Sequence, residues 1–262
     1  MQKNNQLTNN ENYLYNYIDS KKKNNILKNN DLKSAFKDYS NYKINFLLKQ
    51  LKDKGYLLNL KKNNYIKKDI FSINDLFEIA TNLYPGYISF SSALFYYGLI
   101  DYHPFNIYIS TNKKSKNIKL YEYNLKYINT NFYNDFIRID NIYISSLEKT
   151  IFDCFNKFKY IGSYSILSKA IYLGSNKINW NKLLLIYKKY SSKRQNQITG
   201  YILDILLKNT NLKIPNYFLK YLLSQDKSNT YLLNINNKKS KYIDKWKLKD
   251  NLGEKNIIDW WY

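Results

Sequence analysis

The residues best suited to chemistry lie between Ser40 and Asp53. Ile44, Leu47, Leu48 and Leu51 recur at i, i+3, i+4 and i+7, the apolar stripe of a helix. The face left over carries Asn41, Tyr42, Lys43, Asn45, Lys49 and Gln50. Asn and Gln amides can bond adenine edges bidentately, and lysine can reach O6 and N7 of guanine. The N-terminal half of such a helix is the part that meets bases in a major groove. Upstream, Lys33 and Lys37 could hold phosphates; downstream, Lys61 and Lys62 could straddle the backbone. With Ser40 at the helix start, these residues form the candidate DNA-binding set.

Other chemistries are poorly supplied. One histidine, His103, and one cysteine, Cys154, leave too few groups for a zinc site or a Ser-His-Asp arrangement. His103 is expected to be a loop residue without a catalytic role, and Cys154, beside Ile151, Phe152 and Phe155, a buried inert thiol. Gly162-Ser163 resembles the Gly-Ser of nucleotidyltransferases, but no Asp-x-Asp follows to hold magnesium. There is no Walker A or Gly-x-Gly-x-x-Gly sequence. Glu148 and Asp153, five apart, are expected on a helix surface or at a cap. An enzyme would need converging carboxylates around Asp101, Glu122, Glu148 or Asp204. The expectation is therefore no catalytic residue, no metal and no cofactor.

Charge points toward an anionic partner. The 262 residues carry 42 basic and 20 acidic side chains, a formal net charge of +22. Only Arg138 and Arg194 are arginine, and Lys, Asn, Ile, Tyr and Phe all have AT-rich codons, so base composition accounts for part of the excess. Distribution says more. Residues 1–70 hold 15 basic and 6 acidic residues, and the remainder 27 and 14, so charge per residue is nearly twice as high at the amino end. The 29 Tyr and 4 Trp could stack on single-stranded bases, but are expected mainly in the core. Trp260-Trp261-Tyr262 is expected to dock on the domain rather than form a contact patch. No apolar run reaches the ~18 residues of a membrane span, and Met1 to Asn12 lacks an apolar signal-peptide region. A cytoplasmic protein with no membrane partner is expected.

The elements that must position the candidate set follow from periodicity. Glu11–Ser20 predicts a helix with Tyr13, Leu14, Tyr17 and Ile18 on one face. Asn30 would cap a second helix over Asp31–Lys37, with Leu32, Ala35 and Phe36 inward. Ser40 would cap a third over Asn41–Asp53, ended by Gly55. Tyr56–Leu60 and Tyr65–Lys68, joined by Lys61-Lys62-Asn63-Asn64, predict a β-hairpin. This is the order of a winged helix-turn-helix, placed at 1–70 with a boundary near Lys68–Ser72. Residues 71–262 alternate helices and strands. Expected helices are Asn74–Leu83, Ala93–Tyr97 capped by Ser91 or Ser92, Leu147–Phe155 capped by Ser146, Tyr164–Leu173, Trp180–Tyr190, Gln195–Lys208 and Asn216–Ser224. Expected strands are Tyr87–Phe90, Asn106–Ser110, Ile118–Tyr121, Phe136–Ile139, Ile142–Ser145, Tyr231–Ile235 and Lys245–Lys249. The fold class is α+β: an N-terminal winged helix-turn-helix followed by a larger mixed α/β C-terminal domain.

Four stretches, in order, resemble one family. Ile88-Ser89-Phe90-Ser91-Ser92-Ala93-Leu94 with Tyr97-Gly98-Leu99-Ile100, then Pro104 and Ile107-Tyr108-Ile109, resemble the S-x-x-S-A-L-x-x-x-G-L stretch of AbiEi-type antitoxins. Ile144-Ser145-Ser146-Leu147-Glu148-Lys149-Thr150-Ile151-Phe152-Asp153 is similar to its S-P-E-K-A-L-L-D, with Leu147 in place of proline. Thr199-Gly200-Tyr201-Ile202-Leu203-Asp204, after Arg194, resembles R-L-G-Y-L-L-E, and Lys245-Trp246-Lys247-Leu248 with Asn251 resembles K-W-x-L-x-x-N. The resemblance implies an antitoxin of an abortive-infection toxin–antitoxin system. Such a protein is a transcriptional repressor that binds double-stranded DNA at inverted repeats in its own promoter and counteracts a neighbouring nucleotidyltransferase toxin; a stable complex with the toxin is not implied. The alternative is a winged-helix protein-interaction module without specific DNA binding.

Overall fold

The computed structural model describes residues 6–21, 26–69, 71–102, 104–233 and 239–262. His103, Lys22–Asn25, Ile235 and Lys238 lie outside the described residues. The architecture is mixed α+β.

The amino-terminal unit runs α1 (Asn9–Asp19), β1 (Leu27–Lys28), α2 (Asn29–Ala35), α3 (Asn41–Asp53), β2 (Leu57–Lys61) and β3 (Asn64–Lys67). Its sheet is antiparallel in the order β1-β3-β2. Thr8 and Glu11 cap α1 reciprocally, each side chain accepting the other's backbone N–H. Leu14, Ile18, Leu32, Phe36, Ile44, Leu47, Leu48, Leu51 and Leu57 close a small core. Tyr13, expected inward, is 62% exposed and only edges onto Phe36.

The second helix departs from expectation. It begins two residues early, with Lys28 at the N-cap and no side-chain cap bond, so Asn30 does not cap it. The reason is β1: Leu27 and Lys28 pair with Tyr65 and Asn64, and Asn29 N–H bonds Asn63 O. That strand hands the chain directly to the helix. Ala35 is exposed rather than inward. The hairpin turns at Lys62 and Asn63, where Asn63 takes a φ of +63°, a left-handed value that asparagine tolerates.

The rest is built on a six-stranded mixed sheet, order β6-β7-β5-β4-β9-β8. Its strands are β4 (Tyr87–Ile88), β5 (Asn106–Thr111), β6 (Lys116–Leu120), β7 (Tyr123–Asn129), β8 (Phe136–Ile139) and β9 (Ile142–Ser145). Alternation assigns the faces. Ile107, Ile109, Leu125 and Tyr127 meet α4 (Ile73–Leu83), together with Leu60 and Ile66 of the hairpin. Tyr108 and Ile128 face a helical layer instead. That layer comprises α5 (Phe90–Tyr96), α6 (Leu147–Asn156), α7 (Tyr164–Gly174), α8 (Trp180–Tyr190), α9 (Lys193–Asn209) and α10 (Asn216–Ser224). A small sheet, β10 (Tyr231–Leu232), β12 (Leu248–Asp250) and β11 (Lys241–Ile243) in spatial order, and α11 (Glu254–Ile257) complete the chain.

Four further expectations need correction. Neither Ser91 nor Ser92 caps α5: Ser89 holds the N-cap position, and Ser92 Oγ accepts Tyr108 N–H at 2.9 Å. Strand β7 went unpredicted. Lys245–Lys249 is not one strand, because Asp244–Trp246 is a 3₁₀ turn and Lys247 is left-handed at φ +47°. Glu148 and Asp153 are buried rather than on a helix surface, and of the two Glu148 serves at a cap, accepting the Asn179 N–H at the head of α8. At the carboxyl end Trp260 and Trp261 dock on Tyr172, and Trp260 Nε1 donates to Ser168 Oγ at 2.8 Å, while Tyr262 stays 81% exposed.

Candidate nucleic-acid interface

Helix α3 forms as its stripe requires. Ser40 Oγ accepts Lys43 N–H at 3.1 Å, and Gly55 turns the chain away at φ +85°. Ile44, Leu48 and Leu51 are fully buried, and Leu47 nearly so. Opposite them, Tyr42, Asn45, Phe46 and Lys49 repeat at i, i+3, i+4 and i+7 and are all exposed. Among the described residues none covers this outward stripe: Tyr42 is 80% and Phe46 49% exposed. Asn41 is exposed at the first turn, and Lys43 and Gln50, half-buried, flank the stripe.

Several of these side chains are held in place. Lys43 Nζ lies 3.7 Å from the centre of the Tyr39 ring, so the ammonium is oriented by the ring's negative face. Asn45 Oδ1 accepts a hydrogen bond from the buried Asn29 Nδ2, which leaves the Asn45 amide N–H groups free to donate outward. Lys37 and Lys62 are exposed, and Lys33 is half-buried on α2. Lys61 ends β2; its side chain lies outside the described residues. Among the described residues, Lys33, Lys37, Lys43, Lys49 and Lys62 form no ion pair with a carboxylate. By contrast Lys54 is paired with Glu11 at 2.6 Å and Lys67 with Asp19 at 2.8 Å. The unit therefore uses two lysines for its own cohesion and leaves Lys37, Lys49 and Lys62 exposed.

The Glu11–Lys54 pair also sets the geometry, because Lys54 is the C-cap residue of α3 and Glu11 sits in the first turn of α1. Burial would raise the Glu11 carboxyl, but bonds from Lys54 and Thr8 and the Lys54 charge outweigh it and hold it below its ordinary range. Sequence reasoning missed Phe46 and Tyr39. Phe46 was legible, since two residues past Ile44 is about 200° around a helix and so outward.

The carboxylates named as a possible enzyme centre are held separately. Asp101 pairs with Lys169, Glu148 with Lys182, and Asp204 with Lys245 and the Trp246 indole N–H. Glu122 is exposed. Among the described residues no group of three His, Cys, Asp or Glu side chains could hold a metal ion. Burial pushes the Cys154 thiol well above its usual range.

The stretches that carried the family resemblance are structural here. Gly200 admits the Trp246 ring, which would collide with any Cβ at that position. Gln197 Nε2 donates to Trp246 O at 2.8 Å, and Tyr201 OH to Asp250 at 2.6 Å. Lys149 and Asp153 form a buried ion pair along α6, and Glu148 accepts the N–H of Asn179, the α8 cap, at 2.8 Å.

No protein-family model matches the sequence, and no curated protein does. The fold is similar to that in a crystal structure of the RV2827C protein from Mycobacterium tuberculosis, with a TM-score of 0.68 at 12% identity, covering 91% of this chain and 89% of that one. At that identity the likeness is one of fold alone. Among the described residues, no helix is long and apolar enough to cross a membrane.

Proposed function

We propose that the chain is a DNA-binding regulator of the AbiEi antitoxin type, and not an enzyme. Residues 1–70 act as a winged helix-turn-helix: α3 enters the major groove, the β2–β3 tip flanks it, and Lys33 and Lys37 rest against phosphates. Residues 71–262 are the antitoxin domain. The partner is double-stranded DNA at inverted repeats in the chain's own promoter, and binding there represses transcription. The chain counteracts a nucleotidyltransferase toxin encoded alongside, a functional link that does not imply a stable complex. The setting is the cytoplasm, with no cofactor.

One observation carries this reading: the outward face of α3, whose cap and packing are in place while Tyr42, Phe46 and Lys49 stay exposed. Gln50 has the donor and acceptor for an adenine edge, Asn45 can offer its amide donors, and Phe46 can meet a thymine methyl. The test is a gel-shift titration of the chain's own upstream region. Lys43→Ala with Lys49→Ala should weaken binding at least tenfold; unchanged binding would contradict the proposal.

The exposed Tyr42 and Phe46 rings also favour a second reading, a module that docks a protein partner. Tyr42→Ala with Phe46→Ala separates the two. If the pair loses only a protein complex while upstream DNA is still bound by the wild type no better than scrambled duplex, the interaction-module reading holds.

A further inference from the structure

The amide that α3 presents at Asn45 is oriented from beneath. Asn29 is only 4% exposed and opens α2 where β1 hands the chain over. Its backbone N–H is fixed on Asn63 O of the hairpin turn at 3.1 Å. Its side-chain Nδ2 donates to Oδ1 of Asn45. Asn29 Oδ1 is buried and has no hydrogen-bond partner among the described residues. A polar atom left so lowers stability, and an apolar side chain at that position would avoid the loss. The bond to Asn45 is what the amide at position 29 supplies.

The direction of that bond follows from the same burial. Turning both amides over would strand the Asn29 NH2 group, with two donors, where now one carbonyl oxygen is unpartnered. Buried orphan N–H groups are the rarer of the two. The consequence is chemical. An asparagine that recognises adenine turns its amide oxygen and nitrogen out together, the oxygen for N6–H and the nitrogen for N7. At Asn45 the oxygen is turned in toward Asn29, so this exposed side chain offers its N–H groups. Guanine presents two major-groove acceptors, O6 and N7, and no donor. Adenine sets its N6–H against a donor, cytosine offers only a donor, and thymine offers a single acceptor.

We propose that Asn29 locks Asn45 as a donor, so that the base facing Asn45 in the bound duplex is guanine and not adenine. This rests on the reading of α3 as the helix that enters the groove, and it assigns that helix one base of its site. Asn45 meets the base; Asn29 acts through it and is a positioning residue.

The test is selection of a randomised DNA duplex by the full chain, with sequencing of the bound fraction. Wild type should enrich guanine over adenine about tenfold at one position. Asn45→Ala should lose that preference while the other positions keep theirs. Asn29→Leu is similar in volume and has no donor, so it frees the Asn45 amide to turn. Adenine should then be accepted at that position at least as well as guanine. A duplex with 7-deazaguanine there, which lacks the N7 acceptor, should lose affinity for wild type and not for Asn45→Ala. Wild type that enriches no sequence overturns the groove reading and this proposal with it. The proposal alone is overturned if wild type enriches a sequence in which no position depends on Asn45, if the dependent position prefers a base other than guanine, or if Asn29→Leu keeps the guanine preference. Should Asn29→Leu fail to fold, equal binding of guanine and 7-deazaguanine by wild type overturns it.

Discussion

At the scale of single residues, what distinguishes the candidate interface from the rest of the surface is the use made of its charges. Lys149 shows the opposite use. Its ammonium is almost wholly buried and meets both oxygens of Asp153 one helical turn on. Burial pushes the Asp153 carboxyl up, and Lys149 only partly draws it back. Removing one member of a buried pair strands the other, at a cost of about 3–5 kcal/mol. Lys149→Met should therefore lower the urea midpoint of the C-terminal domain sharply. The loss should deepen as pH rises through the raised Asp153 pKa, because the folded state then holds an uncompensated charge. Lys149→Met with Asp153→Leu should recover most of it; equal midpoints for all three proteins would refute a structural role. Gly200→Ala is a steric counterpart. Its methyl would push the Trp246 ring from its seat on α9, costing about 1–3 kcal/mol by overpacking. Urea denaturation with Trp fluorescence should show an early loss of Trp246 burial, and a wild-type transition would contradict this packing.

At the scale of elements, the orientation of α3 rests on α1 through Glu11 and Lys54. The Glu11 carboxyl is held below its ordinary value of 4.5, so the folded unit favours the ionised form. Stability from this group is complete above that ordinary value and is lost as pH falls through the lower folded one. Glu11→Gln should cost about 1 kcal/mol at neutral pH and remove part of the acid-limb loss seen in thermal melts followed between pH 6 and 3. An unchanged acid limb would show that the pair is not stabilising. How much of these elements was legible depends on how local their causes are. Helix α3 was read to the residue because stripe, Ser40 cap and Gly55 stop agree, and α8 and the Asp140-Asn141 hairpin for the same reason. Strand β7 was missed because the tight turn that joins it to β6, Tyr121-Glu122, carries neither the Asn nor the Gly of a hairpin signal. The start of α2 moved because a two-residue strand, stable only against β3, runs into it. The burial of Glu148 was missed because the groups that bury it lie 31 residues on, at the head of α8.

At the scale of the whole molecule, the amino-terminal unit has its own small core, yet Leu60 and Ile66 of its hairpin belong to the core of the large sheet. Cutting the chain near residue 70 would strip apolar cover from Leu76 and Phe77, so point variants on α3 are the cleaner probe. The hairpin thus anchors the unit by one face while its tip, with Lys62, stays exposed. That arrangement suits a reader whose body is held still while a helix and a tip reach into a groove. The most direct test is the salt dependence of binding to a duplex from the chain's own upstream region, for wild type and for Lys43→Ala with Lys49→Ala. Each phosphate contact contributes about 0.9 to the slope of log K against log salt on duplex DNA. The account predicts a weaker affinity and a slope smaller by about 1.8 in the double variant, with an unchanged circular dichroism spectrum. The same affinity and the same slope in both proteins would contradict it.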